Sequence, residues 1–151
     1  MNLSPHFTFD ELTRTGQTAL QATNRQEAQA CMGALTALAT TILEPIRAKF
    51  GAVKINSAFR GPAVNTAVGG SKTSQHMSGQ AADIVVPGVA LEVVFAWIVK
   101  ESGIPYGQAI LEGPGGKVSW IHVSLGEPYR PLAKSRQALT WDGKTYAPWK
   151  G

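Results

Sequence analysis

Ser71-Lys-Thr-Ser-Gln-His76-Met-Ser-Gly79-Gln-Ala-Ala-Asp83-Ile-Val-Val86 is the stretch from which the rest of the chain can be read. A loop flanked by glycine and serine delivers His76, and seven residues later Asp83 opens a short apolar run. Far downstream, Trp120-Ile-His122-Val-Ser124 supplies a second histidine inside an alternating pattern that predicts a strand. Two imidazoles and one carboxylate make a three-ligand zinc set: His76, Asp83 and His122. Three protein ligands leave a fourth position for water, the arrangement of a catalytic rather than a structural zinc. Neutral imidazoles with one carboxylate leave the ion net positive. Such an ion lowers the pKa of bound water to about 7 and polarises a carbonyl. Manganese and cobalt accept similar ligands.

The pattern Ser74-x-His76-x-x-Gly79-x-Ala81-x-Asp83, followed by Trp120-x-His122, resembles the zinc D-alanyl-D-alanine carboxypeptidases and L-alanyl-D-glutamate endopeptidases. These are peptidoglycan metallopeptidases, phage endolysins among them. The resemblance runs roughly from Phe9 to Leu125. It implies a zinc-dependent peptidase acting on an amide bond of peptidoglycan stem peptides. It also implies the α+β fold shared with hedgehog domains, with the zinc site on the sheet face. Ser57-Ala-Phe-Arg60-Gly-Pro-Ala-Val-Asn65 is similar to the segment that carries the family's substrate-binding arginine. Arg60 would bind a substrate carboxylate bidentately or stabilise the developing oxyanion. Ser74, Gln75 and Trp120 are the other expected substrate contacts. Gly79 is expected to serve structure, where a side chain would obstruct the loop's close approach.

The general base departs from the family's pattern. The resemblance places an Asp or Glu three residues before the last histidine, and Ser119 stands there. Other members carry His-x-His, where this chain has Trp120. Glu112 is the replacement. In a hairpin pairing Ile110 with His122, Glu112 falls on the zinc face one pair along, close enough to activate water. Glu127 is the reserve.

Composition narrows the alternatives. With 151 residues and 44% hydrophobic content, the chain suits one globular domain over 1–151 with its own core. It has no apolar run of about 18 residues, so no membrane span is expected. Met1-Asn-Leu-Ser-Pro-His6 has neither a basic nor an apolar signal region. That points to a protein held in the cytoplasm until release, or carried in a phage particle, and acting on the cell wall. The single Cys31 excludes an internal disulfide framework and reads as a small buried hydrophobe. A net charge of +4 favours anionic partners, but the basic residues are scattered rather than clustered, which argues against nucleic acid. A monomer is expected.

Taken in order, Thr8-Phe-Asp-Glu11 has the form of a capping box, with Phe7 and Leu12 as a staple. Thr13 to Thr23 reads as loop. Asn24-Arg-Gln-Glu27 reads as the cap of a long helix whose stripe is Ala28, Cys31, Leu35, Leu38, Ile42 and Ile46. Pro45 should kink or divide that helix, and Gly51 should end it. A strand is predicted over Val53–Phe59, a short helix from Pro62, a strand over Ala81–Val86 and a helix over Leu91–Ser102. Gln108–Glu112 and Val118–Leu125 should form a hairpin. Leu139 to Tyr146 reads as a second hairpin with a two-residue turn. The sum is an α+β domain: helices packed on one small, mainly antiparallel sheet. His6 reads as ordinary surface. A non-hydrolytic, zinc-stabilised binding module, as in hedgehog domains, is the competing expectation.

Overall fold

A computed structural model describes residues 1–151. Eight strands and six α-helices alternate along the chain: β1 Asn2–Ser4, β2 Phe7–Thr8, α1 Phe9–Thr13, α2 Gln21–Ala28, α3 Met32–Leu38, α4 Glu44–Phe50 and β3 Lys54–Ser57. Then come α5 Pro62–Ala67, β4 Ala81–Val85, α6 Leu91–Lys100, β5 Tyr106–Glu112, β6 Trp120–Leu125, β7 Gln137–Trp141 and β8 Tyr146–Pro148. Six strands form one sheet in the order β3-β4-β6-β5-β7-β8, every neighbouring pair antiparallel except β5 with β7. The expected α+β architecture is therefore present, with one parallel pair in a mainly antiparallel sheet.

Strand alternation divides the sheet into two chemical faces. Ala82, Ile84, Val86, Ala109, Leu111, Ile121 and Val123 join a core of 28 buried residues with Leu35, Leu38, Ile42 and Ile46 of the helical layer. Val94, Phe95 and Ile98 of α6 enter the same core, as their three- and four-residue spacing dictates. The intervening strand positions, Asp83, His122, Ile110 and Glu112, point the other way and line a cavity.

The amino-terminal expectations hold in part. Thr8 caps α1, its hydroxyl accepting a 3.1 Å hydrogen bond from the Glu11 amide, and Phe7 and Leu12 are buried. The stretch Thr13–Thr23 is not all loop: a 3-10 turn at Thr18–Leu20 leads into α2 from Gln21. Asn24 is accordingly not a cap. It lies inside α2, fully buried, because its side chain bonds tertiary partners rather than its own helix start. The long predicted helix is divided. A 3-10 turn separates α2 from α3, and a π turn over Ala39–Leu43 precedes α4. Pro45 sits in the first turn of α4 and accounts for the wider turn, since its ring cannot share a tight helix with the carbonyl four residues back. Gly51, at φ +91°, ends α4 as read.

Three further features escaped the sequence. Asn2–Ser4 and Phe7–Thr8 pair as a separate two-stranded sheet. His6 is not idle surface: its Nδ1 lies 2.8 Å from Glu44 Oε1, and Glu44 also accepts from the Ser4 hydroxyl at 2.6 Å and the His6 amide at 2.7 Å. The carboxy-terminal hairpin pairs Trp141 with Tyr146, so its connection runs from Asp142 to Thr145 rather than over two residues. Asp142 Oδ1 stabilises the longer turn by accepting from the Lys144 and Thr145 amides, each at 2.8 Å.

Candidate metal centre

Three segments bring the ligand residues together. Asp83 and His122 are direct partners on β4 and β6, so sheet register alone places a carboxylate beside an imidazole. His76 arrives from the preceding loop, on a 3-10 turn over Gln75–Ser78 that Ser74 caps by accepting from the His76 amide at 3.2 Å. The turn closes at Gly79, whose φ of +70° suits glycine, and a Cβ there would meet Cys31 Cβ and Leu35 Cγ at 3.0 Å. Gly79 thus lets the loop lie against α3 and its preceding turn, as expected. Cys31 itself is half-buried, and burial pushes its thiol pKa up.

One donor atom from each of His76, Asp83 and His122 lies within 4.8 Å of the others. His122 Nδ1 is 3.0 Å, and His76 Nε2 is 3.3 Å, from the same Asp83 oxygen, Oδ1. The two imidazoles meet edge to face, centroids 5.1 Å apart. His76 Nδ1 lies 2.7 Å from the carbonyl of Ala58. A carbonyl only accepts, so that nitrogen carries the proton and Nε2 presents a lone pair. In the neutral imidazole that lone pair and the Asp83 oxygen, 3.3 Å away, are two donor atoms turned toward one point. The donor set therefore fits a divalent ion such as zinc, held by two nitrogens and one oxygen. Burial works to raise the Asp83 pKa, but the hydrogen bonds and charge of the two histidines outweigh it and hold the carboxyl well below the usual range.

The Ile110–His122 register is present, and it puts Glu112 opposite Trp120, one pair along on the ligand face. The Trp120 indole donates to Glu112 Oε1 at 2.7 Å. Burial pushes the Glu112 pKa up. The charge of His122 and the indole hydrogen bond pull against it without cancelling it. Glu127, the reserve, lies beyond β6 and is not among the residues lining the cavity.

The cavity measures about 550 Å³. Arg60, Ser74 and Gln75 line it with the three ligands. Arg60 is fastened from both sides. Asn24 Nδ2 donates to the Phe59 carbonyl at 3.2 Å, and Asn24 Oδ1 accepts from the Gly61 amide at 2.8 Å. The Arg60 amide also donates to the His76 carbonyl at 3.0 Å, which joins it to the ligand loop. Its Nη2 reaches Ser74 Oγ at 3.4 Å, and its Nε is buried without a partner.

Gln108, Arg130, Trp141 and Tyr146 also line the cavity, and sequence reasoning missed them. Gln108 could have been found, since it shares the strand face of Ile110 and Glu112 two residues away. Trp141 pairs with Glu112 across the parallel β5–β7 ladder, so Trp120, Glu112, Trp141 and Tyr146 form one row across four strands. No short-range pattern announces a parallel pairing over nearly thirty residues.

A sequence model of the family described as Peptidase M15 matches residues 5–124 of the chain. No curated protein matches it.

Proposed function

The chain belongs to the Peptidase M15 family of zinc metallopeptidases, and from that premise we propose that it hydrolyses an amide bond in the stem peptides of bacterial peptidoglycan. The type of cut is that of a D-Ala-D-Ala carboxypeptidase or an L-Ala-D-Glu endopeptidase. The observation that carries the proposal is a half-buried carboxylate, Glu112, on the same sheet face as the ligand triad and one residue pair from His122. It supplies the base that Ser119 cannot.

His76 Nε2, Asp83 and His122 Nδ1 would hold the zinc. A bound zinc supplies a Lewis acid that polarises the scissile carbonyl and acidifies water. Glu112 takes the proton of the attacking water and returns it to the leaving amine. Its raised pKa suits both halves of that cycle, because a stronger base accepts readily. Arg60, with its Nε left free, binds a substrate carboxylate or the developing oxyanion. Ser74 and Gln75 bound the cleft on the loop side, and Trp120 holds Glu112 in place while offering an apolar wall.

The net charge of +4 suits an anionic wall, and we assign the chain to phage or prophage wall-cutting enzymes. The test is mass spectrometry of muropeptides released from purified peptidoglycan by the zinc-loaded protein, with and without chelator. A new amine terminus that appears only with metal supports hydrolysis and identifies the bond. Tight zinc binding with no peptide or amine released would instead establish a non-hydrolytic module.

A further inference from the structure

Arg130 lines the same cavity, beyond the residues matched by the family, and nothing above gives it a task. It stands at the end of the turn after β6, where its amide donates to the Gly126 carbonyl at 3.0 Å. Its guanidinium is held rather than loose. Nε donates to the Lys134 carbonyl at 2.6 Å and Nη2 to Gln137 Oε1 at 3.0 Å. Gln137 is braced in turn, its Oε1 also accepting from Gln108 Nε2 at 3.1 Å. The stem lies against Gly107, where a Cβ would run into the Leu125 carbonyl oxygen and lie 2.8 Å from Arg130 Cδ. A side chain at that position would crowd both the β6 backbone and the arginine.

All these partners are neutral. None of the ion pairs in the structure involves Arg130, and none involves Arg60. A guanidinium offers five donors in a planar fork, and two anchoring bonds leave the rest for a ligand. Such a fork, fixed by neutral acceptors in a cleft, matches a carboxylate. The strand order adds direction. Arg60 follows β3, while Arg130 and its Gln108 brace belong to the β5–β7 side. The ligand strands β4 and β6 run between them.

We propose that Arg130, braced by Gln137 and Gln108, forms a second carboxylate subsite, so that the cleft selects a peptide carrying one carboxylate toward Arg60 and another toward Arg130. The subsite rests on the assignment of this cavity as the peptide-binding cleft. The favoured ligand is an acidic peptide with two free carboxylates. Its carboxamide counterpart is disfavoured, because an amide cannot satisfy the fork with charge.

The probe is the synthetic pentapeptide L-Ala-γ-D-Glu-L-Lys-D-Ala-D-Ala, which contains both candidate bonds, with two analogues in which the glutamate or the terminal carboxylate is a carboxamide. Affinities are measured by calorimetry on the zinc-loaded protein in a Glu112→Gln background, where turnover is slow. Amidation at one of the two positions should weaken binding about tenfold. Arg130→Gln should abolish that difference while leaving the affinity for the amidated peptide within about twofold. Equal affinity for all three peptides in the arginine-containing protein overturns the subsite without recourse to the variant. So do amidation penalties at both positions that persist unchanged in Arg130→Gln. Peptides that bind with the expected differences but are never cut by the protein with Glu112 intact would remove the hydrolase assignment and leave the subsite standing.

Discussion

The Trp120 indole donates a 2.7 Å hydrogen bond to Oε1 of Glu112, its partner across the β5–β6 ladder. The bond stabilises the ionised carboxylate against the burial that raises its pKa. Trp120→Phe keeps the ring and removes the donor, so the Glu112 pKa should rise further. A base works only when deprotonated. The acidic limb of kcat/KM should therefore move to higher pH in the variant, and an unmoved limb would count against Glu112 as the proton acceptor. Glu112→Gln should lower kcat by about 10²- to 10⁴-fold with zinc content unchanged by metal analysis.

Metal removal should separate chemistry from folding. The core of 28 residues is built from the opposite sheet face and the helical layer, and includes none of the three ligands. Chelator, or His122→Ala, should abolish hydrolysis while leaving the far-ultraviolet circular dichroism unchanged. Added zinc should raise the melting temperature of the chelated protein, by about 2.7 kcal/mol of stability at a hundredfold excess over its Kd. The same titration of His122→Ala should give a much smaller shift. Loss of secondary structure on chelation would contradict the separation.

Asn24 joins three parts of the chain: Nδ2 donates to the Thr13 carbonyl at 2.7 Å and to that of Phe59, while Oδ1 accepts from Gly61. Asn24→Ala leaves the Phe59 carbonyl and the Gly61 amide without that partner, while the Thr13 carbonyl keeps Gln21 Nε2 at 3.0 Å. A loss of about 3 kcal/mol in denaturant unfolding is expected. Because Phe59 and Gly61 flank Arg60, the variant should also raise KM under conditions where it remains folded. A stability loss with KM unchanged would show that Arg60 holds its place without Asn24.

Glu44 gives a pH signature far from the site. Burial acts to raise its pKa, but hydrogen bonds from Ser4 and His6 outweigh that and place it below the ordinary 4.5. A folded pKa below the unfolded one contributes stability that is complete above the unfolded value and lost as pH falls through the folded value. Glu44→Gln should therefore cost at most about 1 kcal/mol at pH 7. The gap to the parent protein should shrink below pH 4.5. Thermal melts at pH 7 and pH 3 would check it, and a gap equal at both pH values would refute it.

The ligand triad was legible because its chemistry lies in local spacing: seven residues from His76 to Asp83, and an alternating strand around His122. The place of Glu112 was legible for the same reason, since a hairpin register is set by its own turn. Asn24 misled because the residue type that caps helices is also one that satisfies buried carbonyls, and only tertiary structure decides between them. Arg130, Trp141 and Tyr146 reach the cleft through a parallel strand and a turn whose partners lie far off in sequence. Period and propensity say nothing about such long-range closure. The divided helix was half legible: Pro45 announced the break but not the π turn that absorbs it.

The carboxy-terminal ribbon of β7 and β8 attaches to the sheet by one parallel ladder and carries Trp141 and Tyr146, yet contributes no ligand to the ion. The ligand set and this part of the cavity wall are thus housed in different parts of the polypeptide. Exchange of that ribbon between relatives would reshape the cavity wall while carrying the ligand set over intact.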